Sequence, residues 1–382
     1  MLNSYFSQMP PPVKPKKIIF FVPSLIGGGA EKVALLLARS MSGLGCEVKI
    51  ATARKNGELA YSFPENVKII DLACNKPISG IRTLSKLIIS SQADAIICFG
   101  IQTGIAAALS QRMYKWKSTL IIRNENNLEL EWKNASKLNQ LIGPALSRWS
   151  AKQSKFVCVS RTLSQATKQY LKLHDDEVIT IRNPVFDSID WPQSEKPLHP
   201  WLASSSLPTF VAIGRLEHQK GFDTLIDGFK IANETIQARL IIFGNGGLRN
   251  QLEERIESAG LSNHISLPGF TENPLHQLRA ATAFILSSRY EGFGLVLVEA
   301  LFSGTTIIST DCNYGPSEIL EDGKYGILLP VNDPHSIANA IINSANGSIN
   351  HERPSPEWYR EFLSSISAKK HLELTQESPG YP

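Results

Sequence analysis

The sequence predicts an α/β protein made of two doubly wound parallel-sheet domains. Three observations predict it. Short, β-branched, almost continuously apolar runs alternate with amphipathic stretches along most of the chain, as parallel strands covered on both faces require. The alternation stops once, between 187 and 208, where Pro192, Pro197, Pro200 and Pro208 and the serine run 204–206 mark a linker. The length of 382 residues, at roughly 150 per domain, suggests two domains.

Before the linker, strands are expected at 17–22, 47–52, 67–71, 95–99, 119–123, 155–160 and 178–181. Val33, Leu36, Leu37, Met41 and Leu44 recur at helical spacing, and Gly43 and Gly45 close that helix. After the linker, strands are expected at 209–214, 238–244, 265–267, 283–286, 306–310 and 326–329. Helices should follow near 221–232, 247–259, 274–281, 294–303 and 334–345. Trp358, Phe362 and Ile366 at i, i+4, i+8 predict one last helix over 356–370. The organisation is therefore a flexible segment 1–16, a first domain 17–186, a linker 187–208, a second domain 209–350, and a terminal helix with a polar tail 351–382.

Hydrophobic residues are 42% and charged residues 19% of the chain, with 26 Gly and 22 Pro. That composition excludes collagen-like, low-complexity and wholly disordered chains. No apolar run approaches the roughly 18 residues of a membrane-spanning helix. Residues 1–17 hold four prolines and three lysines without an apolar core, so they do not read as a secretory signal. The five cysteines (Cys46, Cys74, Cys98, Cys158, Cys312) are odd in number and far apart. They read as reduced core residues of a cytoplasmic protein, not as a disulfide frame or zinc site.

The net charge of +4 hides an asymmetry. Residues 1–185 carry 17 Lys and 8 Arg against 12 acidic residues, a balance of +13, and the remainder stands at −9. A basic half implies an anionic partner: a phosphorylated substrate, an anionic membrane surface or nucleic acid. Scattered basic residues and the lack of a reader motif make nucleic acid the weakest of these.

Ligands of doubly wound sheets sit at the carboxyl ends of the strands, so a ligand here belongs in the cleft between the domains. The turn Gly27-Gly28-Gly29-Ala30-Glu31 lies between the first strand and a helix, where backbone N–H groups meet the positive end of the helix dipole. It lacks the full G-x-G-x-x-G spacing and its acidic partner, which argues against a nicotinamide site. Gly214-Arg215-Leu216-Glu217-His218-Gln219-Lys220-Gly221 sets two cations beside a helix start, a site for a diphosphate. Glu291-Gly292-Phe293-Gly294-Leu295-Val296-Leu297-Val298-Glu299 places a carboxylate on either side of a glycine turn. One carboxylate can take a ribose diol and the other sugar hydroxyls, while N–H groups face phosphate. Glu299 points inward from an apolar helix, which is costly without a partner. Gly244-Asn245-Gly246-Gly247, Pro268-Gly269-Phe270 and Gly315-Pro316-Ser317-Glu318-Ile319 also follow strands, and Phe270 offers an aromatic face to a base.

These motifs, with Arg182-Asn183-Pro184-Val185, resemble the family 4 (group 1) retaining glycosyltransferases over about 17–345. The resemblance implies the GT-B fold, two Rossmann-like domains facing across a cleft. It implies transfer of a hexose or N-acetylhexosamine from a nucleotide-sugar, a UDP-sugar favoured over a GDP-sugar, with retained configuration. The acceptor would be a saccharide or lipid-linked saccharide in bacterial cell-surface polysaccharide, lipopolysaccharide or glycan synthesis. Arg215 and Lys220 would hold the diphosphate, Glu299 the ribose and Glu291 the donor sugar. Backbone of Gly292, Phe293, Gly294 and Leu295, with Gly28, Gly29, Gly244 and Phe270, would complete the donor site, and the final helix would cross back onto the first domain. No resident cofactor and no metal is implied, the chain having no Asp-x-Asp.

One departure stands out. Relatives carry a His after the fifth strand, where this chain reads Arg123-Asn124-Glu125. The role is vacant or passes to Glu125, and Arg123 and Glu125 are expected either to act there or to pair with each other. Arg112, Lys115 and Lys117 beside Tyr114 and Trp116 form a basic-aromatic patch expected to meet anionic lipid at the inner face of the cytoplasmic membrane. The competing readings are a nucleotide-sugar-binding protein of the same fold without transferase activity, and a nucleotide-sugar epimerase.

Overall fold

The computed structural model describes residues 16–25, 28–53, 63–190, 199–203, 206–271 and 273–376. Gly27 of the first glycine turn, Pro192, Pro197, Ser204 and Ser205 of the linker, and residues 1–15 of the N-terminal segment lie outside them.

The first unit runs β1 (Lys17–Val22), α1 (Gly29–Gly43), β2 (Glu47–Thr52), β3 (Lys68–Asp71), α2 (Ile81–Ser91), β4 (Ala95–Phe99), α3 (Ile101–Tyr114), β5 (Thr119–Asn124), α4 (Leu128–Lys133), α5 (Lys137–Lys152), β6 (Lys155–Cys158), α6 (Arg161–Leu171) and β7 (Val178–Thr180). The second runs α7 (Pro200–Ala203), β8 (Thr209–Ile213), α8 (Phe222–Asn233), β9 (Arg239–Phe243), α9 (Arg249–Ser258), β10 (Ile265–Gly269), α10 (Pro274–Arg279), β11 (Ala283–Leu286), α11 (Leu295–Ser303), β12 (Thr306–Thr310), α12 (Pro316–Ile319), β13 (Ile327–Leu329) and α13 (Pro334–Ala345). Two helices close the chain, α14 (Pro356–Arg360) and α15 (Ser364–Leu374).

All recorded strand pairings are parallel. The seven-stranded sheet has the order β3-β2-β1-β4-β5-β6-β7 and the six-stranded sheet β10-β9-β8-β11-β12-β13. Both are doubly wound, so the fold class read from the sequence holds. The order reverses between β1 and β4 in one sheet and between β8 and β11 in the other. Those reversals open the crevices where ligands of such sheets bind.

The apolar runs are apolar because both faces are covered. On β1, Ile19 and Phe21 join one core layer while Ile18, Phe20 and Val22 join the other. Each such side chain contributes about 1.5–3 kcal/mol on burial. On the second sheet, one layer packs β8, β9 and β11 against α8, α9 and α13. The other reaches across the domain junction, joining Phe284, Phe293, Leu297 and Val298 to Val159, Leu163, Val185 and Phe186.

Three expectations need correction. The terminal helix over 356–370 is two helices, because the carbonyl of Phe362 accepts from the backbone N–H groups of Val185 and Phe186 and leaves the helical ladder. The linker is not featureless: α7 lies in it, and its Leu202 is buried in the junction core. Trp116 is not a surface aromatic. Its indole donates to Ser110 Oγ at 3.1 Å and the ring is buried, while Arg112, Tyr114, Lys115 and Lys117 around it are exposed.

Helix α15 packs on α1, its Ala368 and Leu372 joining the first-sheet core.

Candidate functional site

Three helix N-termini open onto the cleft: α1 after the Gly28 turn, α8 after Gly221, and α11 after Gly294. The turn at Gly29 reaches the second domain, since a Cβ there would stand 3.2 Å from Leu295 Cδ1 at the start of α11. Helix N-termini, with their positive dipole ends and first-turn N–H groups, favour anions.

Glu291 is buried at the end of the loop after β11. Its Oε1 accepts from Lys220 Nζ at 2.5 Å and from Ser288 Oγ at 2.6 Å. The Lys220 and Glu291 loops are fastened together. Ser287 Oγ donates to the Lys220 carbonyl at 2.8 Å, and Gln219 Nε2 to the Tyr290 carbonyl at 2.9 Å. Thus the predicted diphosphate cation and the predicted sugar carboxylate are one preorganised pair. Arg215 stands apart. It is exposed and pairs with Glu217 at 3.1 Å, so it is not joined to Lys220 in this structure.

Glu299 lies on the buried face of α11. Its partner is Lys32 on α1, an ion pair across the cleft that the sequence reading did not contain. Beside it Glu31 is buried at the first turn of α1, accepts from Ser24 Oγ at 3.0 Å and folds back on Gly28.

Gly292 meets the first domain directly. A Cβ at Gly292 would overlap the Glu125 carbonyl oxygen, so only glycine permits this approach. Phe293 turns inward, its ring 6.0 Å from that of Phe362, and leaves only backbone to the cleft.

Arg123 and Glu125 do pair, at 3.3 Å from Nε to Oε1. The guanidinium is wholly buried, and each of its nitrogens has a partner. Nη1 donates to His371 Nε2 at 2.7 Å, Nη2 to Asn183 Oδ1, and the Phe99 ring lies 5.4 Å from Cζ. Burial raises the pKa of Glu125 above the usual carboxylate range, and Arg123 opposes that shift. His371 and Asn183 were missed as site residues. Asn183 was read only as a motif, and His371 is 248 positions from Arg123 with no local signal.

Gly244, at φ +143°, packs against the Gly214 carbonyl, bringing the β8 and β9 turns together. Phe270 is 44% exposed and lines a pocket of about 1040 Å³ within the second domain, with Asn245, Arg249 and Gln277. Gln277 is fully buried there, and neither of its amide atoms has a hydrogen-bond partner among the described residues. Glu318, read from the sequence only as part of a motif, reaches the first domain. It accepts from the backbone N–H of Arg161 (3.2 Å) and Thr162 (3.1 Å) and from Thr162 Oγ1 (3.0 Å), capping α6 from outside.

Comparison with known proteins agrees with this geometry. Residues 27–188 match Glycosyltransferase Family 4, and residues 199–357 match Glycosyl transferases group 1. An uncharacterized glycosyltransferase of Methanocaldococcus jannaschii is 42% identical over 133 residues, 31% of this chain and 33% of the relative. The N-acetylgalactosamine-N,N'-diacetylbacillosaminyl-diphospho-undecaprenol 4-alpha-N-acetylgalactosaminyltransferase of Campylobacter jejuni is 26% identical over 338 residues, 85% of this chain and 89% of the relative. Across the first five curated relatives, the match spans only 27% to 47% of the relative's own length. The Anabaena protein HepE in complex with UDP-glucose superposes with a TM-score of 0.72 at 19% identity, over 94% of this chain and 97% of that one. With both halves matched in order and two doubly wound domains facing across a cleft, the chain belongs to the family 4, group 1 glycosyltransferases and has the GT-B fold.

Proposed function

We propose that this cleft moves a hexose or N-acetylhexosamine from a nucleotide-sugar to a saccharide or lipid-linked saccharide, in the assembly of a bacterial surface polysaccharide or glycan. The observation that carries it is the Lys220–Glu291 pair, set in the turns that lead into α8 and α11. A diphosphate would take the ammonium of Lys220 and the first-turn N–H groups of α8 and α11, with Arg215 swinging in from the rim. Lys220, already held in place by its loop, and the helix N–H groups would neutralise the leaving nucleoside diphosphate, the main electrostatic contribution open to such a site. No metal is needed in this reading, and no resident cofactor. Glu299 would accept the ribose hydroxyls, Glu291 the sugar hydroxyls, and Gly28 and Gly29 would close on the donor.

The base would lie along the cleft past Gly244, against Phe270. A UDP-sugar is favoured over a GDP-sugar; that HepE shares the fold and was crystallised with UDP-glucose supports this. Retention of configuration is the expected outcome, with the donor phosphate oxygen serving as base and the Arg123–Glu125 pair beside the reacting centre. The lipid acceptor named for the Campylobacter relative supports a lipid-linked acceptor here. Among the described residues no helix is long and apolar enough to cross a membrane. In this reading the enzyme works in the cytoplasm, with the exposed Arg112, Lys115 and Lys117 toward the inner membrane face.

The test is UDP or GDP release from a panel of nucleotide-sugars, with and without lipid-linked acceptors, comparing wild type with Lys220→Ala and Glu291→Gln. Release that needs both residues supports the reading. Binding without release in any condition would favour a nucleotide-sugar-binding protein that lacks transfer.

A further inference from the structure

We infer that His371, near the end of the chain, is a positioning residue for the Arg123–Glu125 pair; this rests on the functional reading above. The tautomer follows from geometry. His371 Nδ1 is 2.7 Å from the Ser367 carbonyl oxygen, which only accepts, so Nδ1 carries the proton. Nε2 is 2.7 Å from Arg123 Nη1, which only donates, so Nε2 offers a lone pair. The imidazole is neutral, and burial with the nearby guanidinium brings its pKa down to about 3.

That lone pair fixes the guanidinium plane. A buried arginine has rigid fork geometry, so satisfying Nη1 and Nη2 decides where Nε points. With His371 on one arm and Asn183 on the other, Nε is aimed at Glu125 Oε1. Glu125 in turn lies at the cleft, its carbonyl against Gly292 of the second domain. Among the described residues, the charged groups facing the Glu125 carboxylate are Arg123 on β5 and Glu31 on α1; the second domain meets the Glu125 backbone carbonyl at Gly292. Helix α15 therefore does more than close the first core: it carries the residue that sets the charge state of a cleft carboxylate.

The consequence is directional. Without the imidazole lone pair, Nη1 is left buried and unsatisfied, and the guanidinium turns to find another acceptor. Among the described residues, Glu125 then loses its facing cation and keeps Glu31.

His371→Leu and His371→Gln separate positioning from packing. Both fill the site, but only Gln can place an acceptor oxygen where Nε2 stands. For donor turnover measured by nucleotide release, Leu lowers kcat roughly tenfold to a hundredfold with little change in KM and moves the acid limb of the pH profile to higher pH. Gln keeps the wild-type limb, and Glu125→Gln abolishes it. Thermal unfolding gives a readout free of donor. The His371→Leu, Glu125→Gln double variant melts higher than the sum of the two separate losses, by roughly 2 °C or more. Equal behaviour of Leu and Gln in the pH profile, or additive losses in melting, overturns the inference. A wild type that turns over no donor counts against the proposed function, and the melting cycle still decides the role of His371.

Discussion

Lys32 on α1 and Glu299 on α11 form an ion pair across the cleft, joining the glycine turn of the first domain to the apolar helix of the second. A carboxylate on the buried face of an apolar helix needs such a partner. A donor that uses Glu299 for its ribose must therefore take it from Lys32.

Lys32→Ala tests that exchange. Removing the partner leaves Glu299 buried and unsatisfied, a cost of about 1 kcal/mol after allowing for the partial exposure of Lys32. The unliganded variant should melt lower than wild type, and a UDP-sugar should raise its melting temperature by more than it raises that of wild type. An equal shift in both proteins would show that Lys32 and the donor do not compete.

Gly292→Ala should separate the domains. The added methyl would collide with the Glu125 carbonyl, and backbone on both sides cannot yield without opening the cleft. Nucleotide release should fall at least about tenfold, and small-angle scattering should report a larger radius of gyration. Unchanged turnover would mean that this approach is not part of the working closed state.

Glu318→Ala should free the first turn of α6. The side chain accepts two backbone N–H groups and one hydroxyl there. Loss of such a cap costs about 1–2 kcal/mol. Amide exchange at Arg161 and Thr162 should quicken while the β6 core amides keep their protection. Uniform exchange across the first domain would point to general destabilisation instead.

His371 predicts an acid-side loss of stability. Its pKa is about 3 in the folded chain against an ordinary 6.5, so between those values the unfolded chain binds a proton that the folded chain refuses. Stability attributable to it is complete above about 6.5 and falls as pH drops, by up to about 1.4 kcal/mol per unit. Glu125 acts oppositely: its raised pKa makes its contribution greatest in acid and loses it as pH rises through that value. In urea titrations from pH 7 to 4, wild type should lose stability faster than His371→Gln. Parallel curves would contradict a neutral, buried imidazole.

The fold was legible because parallel strands are covered on both faces and write themselves as apolar runs. The strands at 17–22, 47–52, 95–99, 283–286 and 306–310 fall where the sequence places them. Glu299 was legible for the opposite reason, a charge on an apolar helix. What escaped was set by the third dimension. Nothing local ties Lys32 to Glu299, 267 positions on, or His371 to Arg123. The break at Phe362 depends on Val185 and Phe186 supplying competing N–H donors from another part of the chain. Trp116 misled because its flanks are basic and exposed, while the indole has a buried hydroxyl to bind. Arg215 and Lys220 look equivalent in sequence, yet one faces solvent and the other a buried carboxylate.

Calorimetric and thermal-shift titration with a panel of UDP- and GDP-sugars, on wild type, Lys220→Ala and Glu299→Ala, tests whether Lys220 and Glu299 hold a nucleotide-sugar in this cleft. One sugar-nucleotide should stabilise wild type, and its effect should disappear in both variants. No response from wild type across the panel, or an undiminished response in both variants, would contradict that role.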